Sequence, residues 1–92
     1  MDVINNVNKQ RFELEINGEI AYIDYDMAGS NIRLNYTEVP ESMKGKGIGS
    51  KLADQTFSLI GGMNMKVIPD CHFIQHWLTK HPEKREMVVE NE

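Results

Sequence analysis

Residues 39–52 read Val39-Pro40-Glu41-Ser42-Met43-Lys44-Gly45-Lys46-Gly47-Ile48-Gly49-Ser50-Lys51-Leu52, and the rest of the chain can be interpreted outward from this stretch. Glycine occupies every second position from 45 to 49, so the backbone can approach a ligand closely because no Cβ intervenes. From Ile48 onward, apolar residues recur at spacings of three, four and seven, which indicates a helix. A glycine-rich turn leading into a helix presents unpaired N–H groups and the positive end of the helix dipole. The stretch therefore predicts a phosphate-binding turn.

Local charge also favours an anionic ligand. Lys44, Lys46 and Lys51 are positive, and no acidic residue lies between Glu41 and Asp54. The chain as a whole has a net charge of −4, so this basic island is unusual within it. Because the island is too small to track a phosphate backbone, we expect no nucleic-acid partner.

The glycine spacing excludes two common phosphate loops. A P-loop requires Gly-x-x-x-x-Gly-Lys-Ser/Thr, but Ser50 stands five residues after Gly45. A dinucleotide loop requires Gly-x-Gly-x-x-Gly after the first strand, whereas this motif lies in the middle of the chain. Counted from Gly45 it ends on Ser50, and counted from Gly47 it ends on Leu52.

The segment before the loop predicts three antiparallel strands. Residues 11–16 alternate polar and apolar side chains, and Asn17-Gly18 is a strong hairpin signal. A second strand is predicted over residues 19–26, with both faces partly covered. A third contains Ile32, Leu34 and Tyr36 and ends before Pro40, and we expect Tyr36 to be buried. Residues 1–8 and 89–92 are expected to be loose.

The segment after the loop predicts a helix, a strand and a second helix. The first helix runs from about Lys46 to Gly61-Gly62. Residues 65–68 form a short strand, which we expect to lie parallel to the third strand. The second helix opens with Asp70 as its N-cap, buries Trp77, and ends at His81-Pro82. Residues 83–89 are compatible with a short helix or an edge strand.

Length and composition are those of one domain spanning residues 1–92. The chain is 40% hydrophobic and 26% charged, which is typical of a globular protein. One cysteine cannot form an internal disulfide, and no apolar run reaches the ~20 residues of a membrane span. The first residues lack the pattern of a signal peptide. We therefore expect a cytoplasmic protein with no membrane partner, as a monomer or weak dimer.

Several motifs together resemble the GNAT superfamily of N-acetyltransferases. The pyrophosphate loop of that superfamily reads Arg/Gln-x-x-Gly-x-Gly/Ala, and Lys44-Gly45-Lys46-Gly47-Ile48-Gly49 is similar to it. The wider pattern resembles the small, single-domain YjdJ-type branch over about residues 10 to 88. It is carried by Tyr36-Thr37-Glu38-Val39-Pro40, by Val67-Ile68-Pro69-Asp70-Cys71-His72-Phe73, and by residues 77–82.

The resemblance implies an α/β fold (α+β by some conventions), in which the meander continues into a parallel strand and two main helices pack against it. It implies acetyl-CoA as the acyl donor and an unidentified amine as the acceptor. The third and fourth strands would splay apart around the pantetheine arm, near Val39 and Val67. The pyrophosphate would contact Lys44 and the N–H groups of residues 45–50 (Gly45, Lys46, Gly47, Ile48, Gly49 and Ser50). Lys46 or Lys51 would reach the 3′-phosphate.

Three residues are candidates for catalysis. Cys71 lies in the first turn of the second helix, where the dipole lowers a thiol pKa, although the neighbouring Asp70 opposes this effect. The alternative for this cysteine is a small buried hydrophobe. Glu38, at the end of the third strand, could take a proton from an amine. The resemblance places Cys71 near the acetyl end of the cofactor. His72 is expected to be a polar neighbour of that reactive end.

Two alternatives remain. The histidines near Cys71 suggest a metal, and His72 and His76 would share a helix face because they lie one turn apart. A metal site would need a third and a fourth ligand, and His81 lies too far along the chain to supply one, so we expect no metal site. The leading function is an acetyl-CoA-dependent acyltransferase, in which the amine attacks the thioester directly with help from Glu38 or receives the acetyl group from Cys71. The alternative function is a non-catalytic acyl-CoA-binding protein that acts through a partner, since 92 residues leave little material for an acceptor pocket.

Overall fold

A computed structural model describes residues 2–89, and these form a single five-stranded sheet with two helices. The strands are paired in chain order, antiparallel from the first to the fourth and parallel between the fourth and the fifth. The strands and helices are β1 (Ile4–Asn6), β2 (Arg11–Ile16), β3 (Glu19–Ala28), β4 (Asn31–Glu38), α1 (Ile48–Gly62), β5 (Lys66–Pro69) and α2 (His72–Lys80). The fold class predicted from the sequence is confirmed.

The meander has four strands rather than the predicted three. The expectation that residues 1–8 are loose is wrong for residues 4–6, because β1 pairs with β2 from Ile4 opposite Glu13 to Asn6 opposite Arg11. The Val3 N–H also donates to the Gln55 side chain on α1, at 2.8 Å. Residue 1 and residues 90–92 lie outside the described residues.

One face of the sheet packs against both helices. Alternate residues of β2 and β3 on this face are fully buried, as period-two alternation requires: Phe12, Leu14, Ala21 and Ile23. The helices contact each other through Phe57 and Trp77, whose rings lie 5.1 Å apart. Trp77 is therefore a core residue, as predicted.

The helices begin later than predicted. Helix α1 starts at Ile48 rather than at about Lys46, because Gly47 takes a left-handed conformation that ends the preceding turn. Helix α2 has Cys71 rather than Asp70 as its N-cap. Asp70 still follows the sheet, since its N–H donates to the Leu34 carbonyl at 3.0 Å and its carboxylate pairs with Arg33.

The end of the described chain returns to the sheet. A 3₁₀ helix spans Pro82–Met87, and Val88 then forms a parallel bridge with Val67. The Val89 N–H donates to the Val67 carbonyl at 2.9 Å, so residue 89 is attached and the prediction that it is loose is wrong. Both alternatives for residues 83–89 are thus partly realised, a short helix followed by an edge bridge.

Candidate functional site

The glycine turn leaves the start of α1 open. Gly45 and Gly47 have φ values of +79° and +76°, in the left-handed region that favours glycine. Gly47 is the N-cap, and no side chain caps the helix. The first hydrogen bond of the helix runs from the Lys51 N–H to the Gly47 carbonyl. The N–H groups of residues 48–50 precede that bond and point out of the helix start, where an anion is stabilised.

The charges around this helix start are positive. The first turn of α1 contains no acidic residue. Lys44 lies beside the turn and makes an exposed ion pair with Glu41, at 3.4 Å. Exposed pairs of this kind contribute little, so the Lys44 ammonium remains available to a stronger anion.

A cavity of about 430 Å³ extends from the helix start to the end of β4. Most of the residues predicted to bind a cofactor line it. The lining residues are Thr37, Glu38, Val39, Met43, Lys44, Gly45, Gly47, Ile48, Gly49, Ser50 and Phe73.

Three predicted cofactor residues lie elsewhere. Lys46 lines a smaller neighbouring cavity of about 160 Å³, and Lys51 is exposed on α1 outside the main cavity lining. Val67 is fully buried, and its backbone is paired on both sides, with β4 and with Val88. It lies opposite Ile32 of β4, and its carbonyl accepts the Val89 N–H.

Gly49 is required by packing as well as by the loop. A Cβ at this position would lie 2.8 Å from Cζ of Phe73 and 3.7 Å from a methyl carbon of Val39. The Phe73 ring therefore rests directly against the first turn of α1. This close approach joins the starts of the two helices at the cavity wall.

A β-bulge determines which side chains of β4 face the helices. The register passes from Tyr25 opposite Leu34 to Asp24 opposite Tyr36, so Asn35 is an extra residue. The bulge reverses the alternation, and Thr37, opposite the buried Ile23, faces the helices.

Glu38 and Tyr36 consequently lie on the outer face of the sheet. Tyr36 is 50% exposed, which makes the prediction that it is buried wrong. Its hydroxyl donates to Glu38 Oε1, and this bond, with the nearby carboxylate charge, raises the pKa of Tyr36 above its ordinary value. The bond holds Tyr36 in its neutral form, in which its hydroxyl is a donor. The Glu38 carboxylate that accepts this bond lines the first cavity.

Cys71 lies at the other side of β4. The residue is 5% exposed, and its Sγ lies 3.0 Å from Oγ1 of Thr37. Cys71 and the exposed His72 line a second cavity of about 370 Å³. Its remaining lining residues are Asn35, Tyr36, Thr37, Asp70 and Phe73. Thr37 and Phe73 line both cavities, so these two side chains form the wall between them.

The structure therefore brings the predicted catalytic residues to one end of β4 but not to one cavity. Glu38 lines the first cavity, whereas Cys71 and His72 line the second. Sequence reasoning missed Thr37, Met43 and Phe73. Phe73 fits the apolar stripe of α2, a pattern that predicts only a core position, and no signal in the sequence indicates its contact with Gly49.

Two further findings concern the described residues. Among residues 2–89, no group of three or more His, Cys, Asp or Glu side chains is arranged to hold a metal ion. The helices found in that range are all too short or too polar to cross a membrane.

Known proteins resemble this chain in sequence. The family model for GCN5-related N-acetyltransferases matches residues 11–87. Protein NATD1 from Homo sapiens is 29% identical over 77 residues, which cover 80% of this chain and 68% of that protein. Protein NATD1 from Gallus gallus is 27% identical over 85 residues, covering 89% and 77% respectively.

A solved structure has the same fold. The solution structure of a GCN5-like protein from Staphylococcus aureus superimposes with a TM-score of 0.73 at 23% sequence identity. The match covers 99% of this chain and 90% of that one. With the family match over residues 11–87, these findings show that the chain belongs to the GCN5-related N-acetyltransferase family.

Proposed function

We propose that this protein transfers an acetyl group from acetyl-CoA to an amine. The observation that carries the proposal is the open start of α1, whose N–H groups face a cavity that continues to the end of β4. Membership of a GCN5-related N-acetyltransferase family supports acyl transfer in general. Acetyl-CoA would supply the acyl group as a thioester.

The proposed cofactor site uses the residues that line the first cavity. The N–H groups of residues 48–50 and the Lys44 ammonium would hold the pyrophosphate, and the left-handed glycines keep the approach free of side chains. The extended arm would follow the backbone near Val39. We leave Val67 out of this set because its strand already pairs on both sides. Lys46 and Lys51, at the surface beside the cavity, are the proposed contacts for the 3′-phosphate.

The first of two chemical routes uses Glu38. Its carboxylate lies at the end of β4 and could remove a proton from an incoming ammonium, directly or through a water. The free amine would then attack the thioester carbonyl, the C–S bond would break, and the CoA thiolate would leave and take up the proton that the nitrogen loses. In this route the Tyr36 hydroxyl, which donates to the same carboxylate, keeps Glu38 in place.

The second route uses Cys71. Its thiol lies at the N-cap of α2, in contact with the Thr37 hydroxyl and facing the second cavity. The thiolate would attack the thioester carbonyl and release the CoA thiolate, and the acetyl group would pass from Cys71 to the amine. His72 lines the same cavity and is the proposed proton carrier for that step.

One alternative is favoured by a specific observation. Glu38 is hydrogen-bonded to Tyr36, and Cys71 is almost fully buried against Thr37, so both reactive groups are already occupied by neighbours. This arrangement also suits a non-catalytic acyl-CoA-binding protein.

Two measurements test the proposal. Thermal shifts with CoA, acetyl-CoA, adenosine 3′,5′-bisphosphate and ATP should show stabilisation by the CoA species above all, by about 2.7 kcal/mol at 100 times Kd. Release of free CoA should then be followed over a panel of primary amines. Stabilisation without turnover on any amine favours the acyl-CoA-binding alternative, and the absence of a shift with every CoA species rejects both.

A further inference from the structure

A hydrogen bond joins the two helices directly beside the proposed phosphate site. Nε1 of Trp77 on α2 donates to Oγ of Ser50 on α1, at 3.1 Å. Ser50 is the third residue of α1 and lines the first cavity. Trp77 is buried and lines neither cavity there. The bond therefore connects a core side chain to a group that faces the ligand.

The chemistry of this bond fixes the direction of the Ser50 hydroxyl. An indole N–H is a donor only, so the serine oxygen must be the acceptor. With one lone pair occupied by the indole, the hydroxyl hydrogen is left to donate to another acceptor, and because Ser50 lines the first cavity, an anion bound there would be such an acceptor. We infer that Trp77 is a positioning residue that holds the Ser50 hydroxyl as a phosphate donor, an inference that rests on the proposed function.

The surroundings of Trp77 give the bond a fixed geometry. The indole ring packs against Phe57 at 5.1 Å and stacks on His81 at 4.3 Å and 21°. Because two neighbouring rings pack against the buried indole, its N–H has little freedom to turn away from Ser50. A serine hydroxyl without such a partner samples several rotamers, so the contact to Trp77 selects one of them.

The chain contains a single tryptophan, which supplies the readout. Selectively excited emission comes from Trp77 alone and responds to the hydrogen bond of its N–H. Three variants separate the inference from a purely structural role: Ser50→Ala removes the acceptor, Ser50→Thr keeps it, and Trp77→Phe removes the donor. Phe12→Leu is the control, because Phe12 is fully buried, contacts Tyr25 and lines neither cavity.

The first measurement is emission without ligand. Ser50→Ala should shift the Trp77 emission to the blue, and Ser50→Thr should leave it near the wild-type position. This arm needs no Trp77 variant, so the inference stays testable where Trp77→Phe fails to fold. An unchanged spectrum in Ser50→Ala overturns the inference, because the bond would then be absent in solution.

The second measurement is the Kd of CoA and of dephospho-CoA by calorimetry. Trp77→Phe should weaken both ligands about tenfold, because a charge-assisted bond to the pyrophosphate is lost while the 3′-phosphate is not involved. In the Ser50→Ala background the same change should have less than a twofold effect, since Trp77 acts through Ser50. Phe12→Leu should bind CoA as the wild type does.

The outcomes distinguish this inference from the proposed function. If the wild type binds CoA and Trp77→Phe binds it equally well, the positioning role is refuted while the CoA site stands. Additive effects of Trp77→Phe and Ser50→Ala refute it as well. If the wild type binds no CoA species, the proposed function is rejected and this inference is rejected with it.

Discussion

Gly47→Ala gives a direct test of the phosphate turn, because the chain offers a matched control. Gly47 and Gly18 have φ values of +76° and +82°, and at both positions an added Cβ meets no atom within 4 Å. Each substitution therefore carries the cost of a left-handed alanine, about 1–2 kcal/mol, without a steric clash. For a domain of this size, the melting temperature should fall by about 4–16 °C in both variants.

The two variants should differ only in their response to CoA. Gly47 lines the cavity at the start of α1, whereas Gly18 lies in the hairpin between β2 and β3. At CoA of 100 times the wild-type Kd, wild type and Gly18→Ala should each gain about 2.7 kcal/mol. If Gly47→Ala weakens binding tenfold, the gain at the same concentration falls to about 1.4 kcal/mol, which halves the thermal shift.

Thermal melts of the three proteins with and without CoA supply these values, and calorimetry supplies the Kd. The decisive comparison is the CoA-induced shift of Gly47→Ala relative to Gly18→Ala, since both begin from a similar stability loss. A full CoA-induced shift in Gly47→Ala, with a wild-type Kd, would refute the placement of the phosphate at this turn.

The remaining predictions concern the C-terminal end of β4 and the contact between the two helices. If Cys71 is the nucleophile, acetyl-CoA alone adds one acetyl mass to its peptide, and Cys71→Ala loses label and turnover; an unlabelled, active Cys71→Ala protein excludes that route. Tyr36 should ionise above its ordinary pKa of 10.0, so its bond to Glu38 stabilises the fold fully below that pH and is lost as pH rises through the folded-state pKa. A spectroscopic titration should show the Tyr36 pKa moving back down in Glu38→Gln, and an unmoved value contradicts the bond. Gly49→Ala should cost about 1–3 kcal/mol in denaturant unfolding because its Cβ meets Phe73; Phe73→Leu in the same chain should recover part of this loss, and equal losses in both backgrounds would contradict the contact.

The predictable parts of this fold are those with local periodicity. Alternation over residues 11–16 and the Asn17-Gly18 turn determine the β2–β3 hairpin. The apolar spacing after Ile48 determines α1. These signals depend on side chains within one element, so they are present in the sequence before any long-range contact forms.

Strand β1 could not be predicted because long-range contacts hold it. Residues 4–6 read Ile-Asn-Asn and show no alternation of apolar side chains. The strand is fixed by pairing with β2, by the Val3 contact to Gln55, and by the Tyr25 hydroxyl, which donates to Asn5 Oδ1 at 2.7 Å. Each of these partners lies elsewhere in the chain, so the segment itself carries no signal.

The prediction that Tyr36 is buried is wrong because β4 contains one extra residue, Asn35. Ile32, Leu34 and Tyr36 alternate as residues of one buried face would, and the first two are indeed buried. The bulge at Asn35 then turns every later side chain of β4 to the opposite face. A bulge depends on how β3 and β4 pair, which the sequence of β4 alone does not determine.

That same bulge separates the two chemical routes in space. It directs Thr37 towards Cys71 and the helices, and it directs Glu38 to the outer face beside Tyr36. In the proposed routes, an acceptor amine activated by Glu38 would approach the first cavity, which Glu38 lines, whereas an acceptor that takes its acetyl group from Cys71 would enter the second cavity. The cavity that a bound acceptor occupies would therefore identify the route, because Glu38 lines only the first cavity and Cys71 only the second.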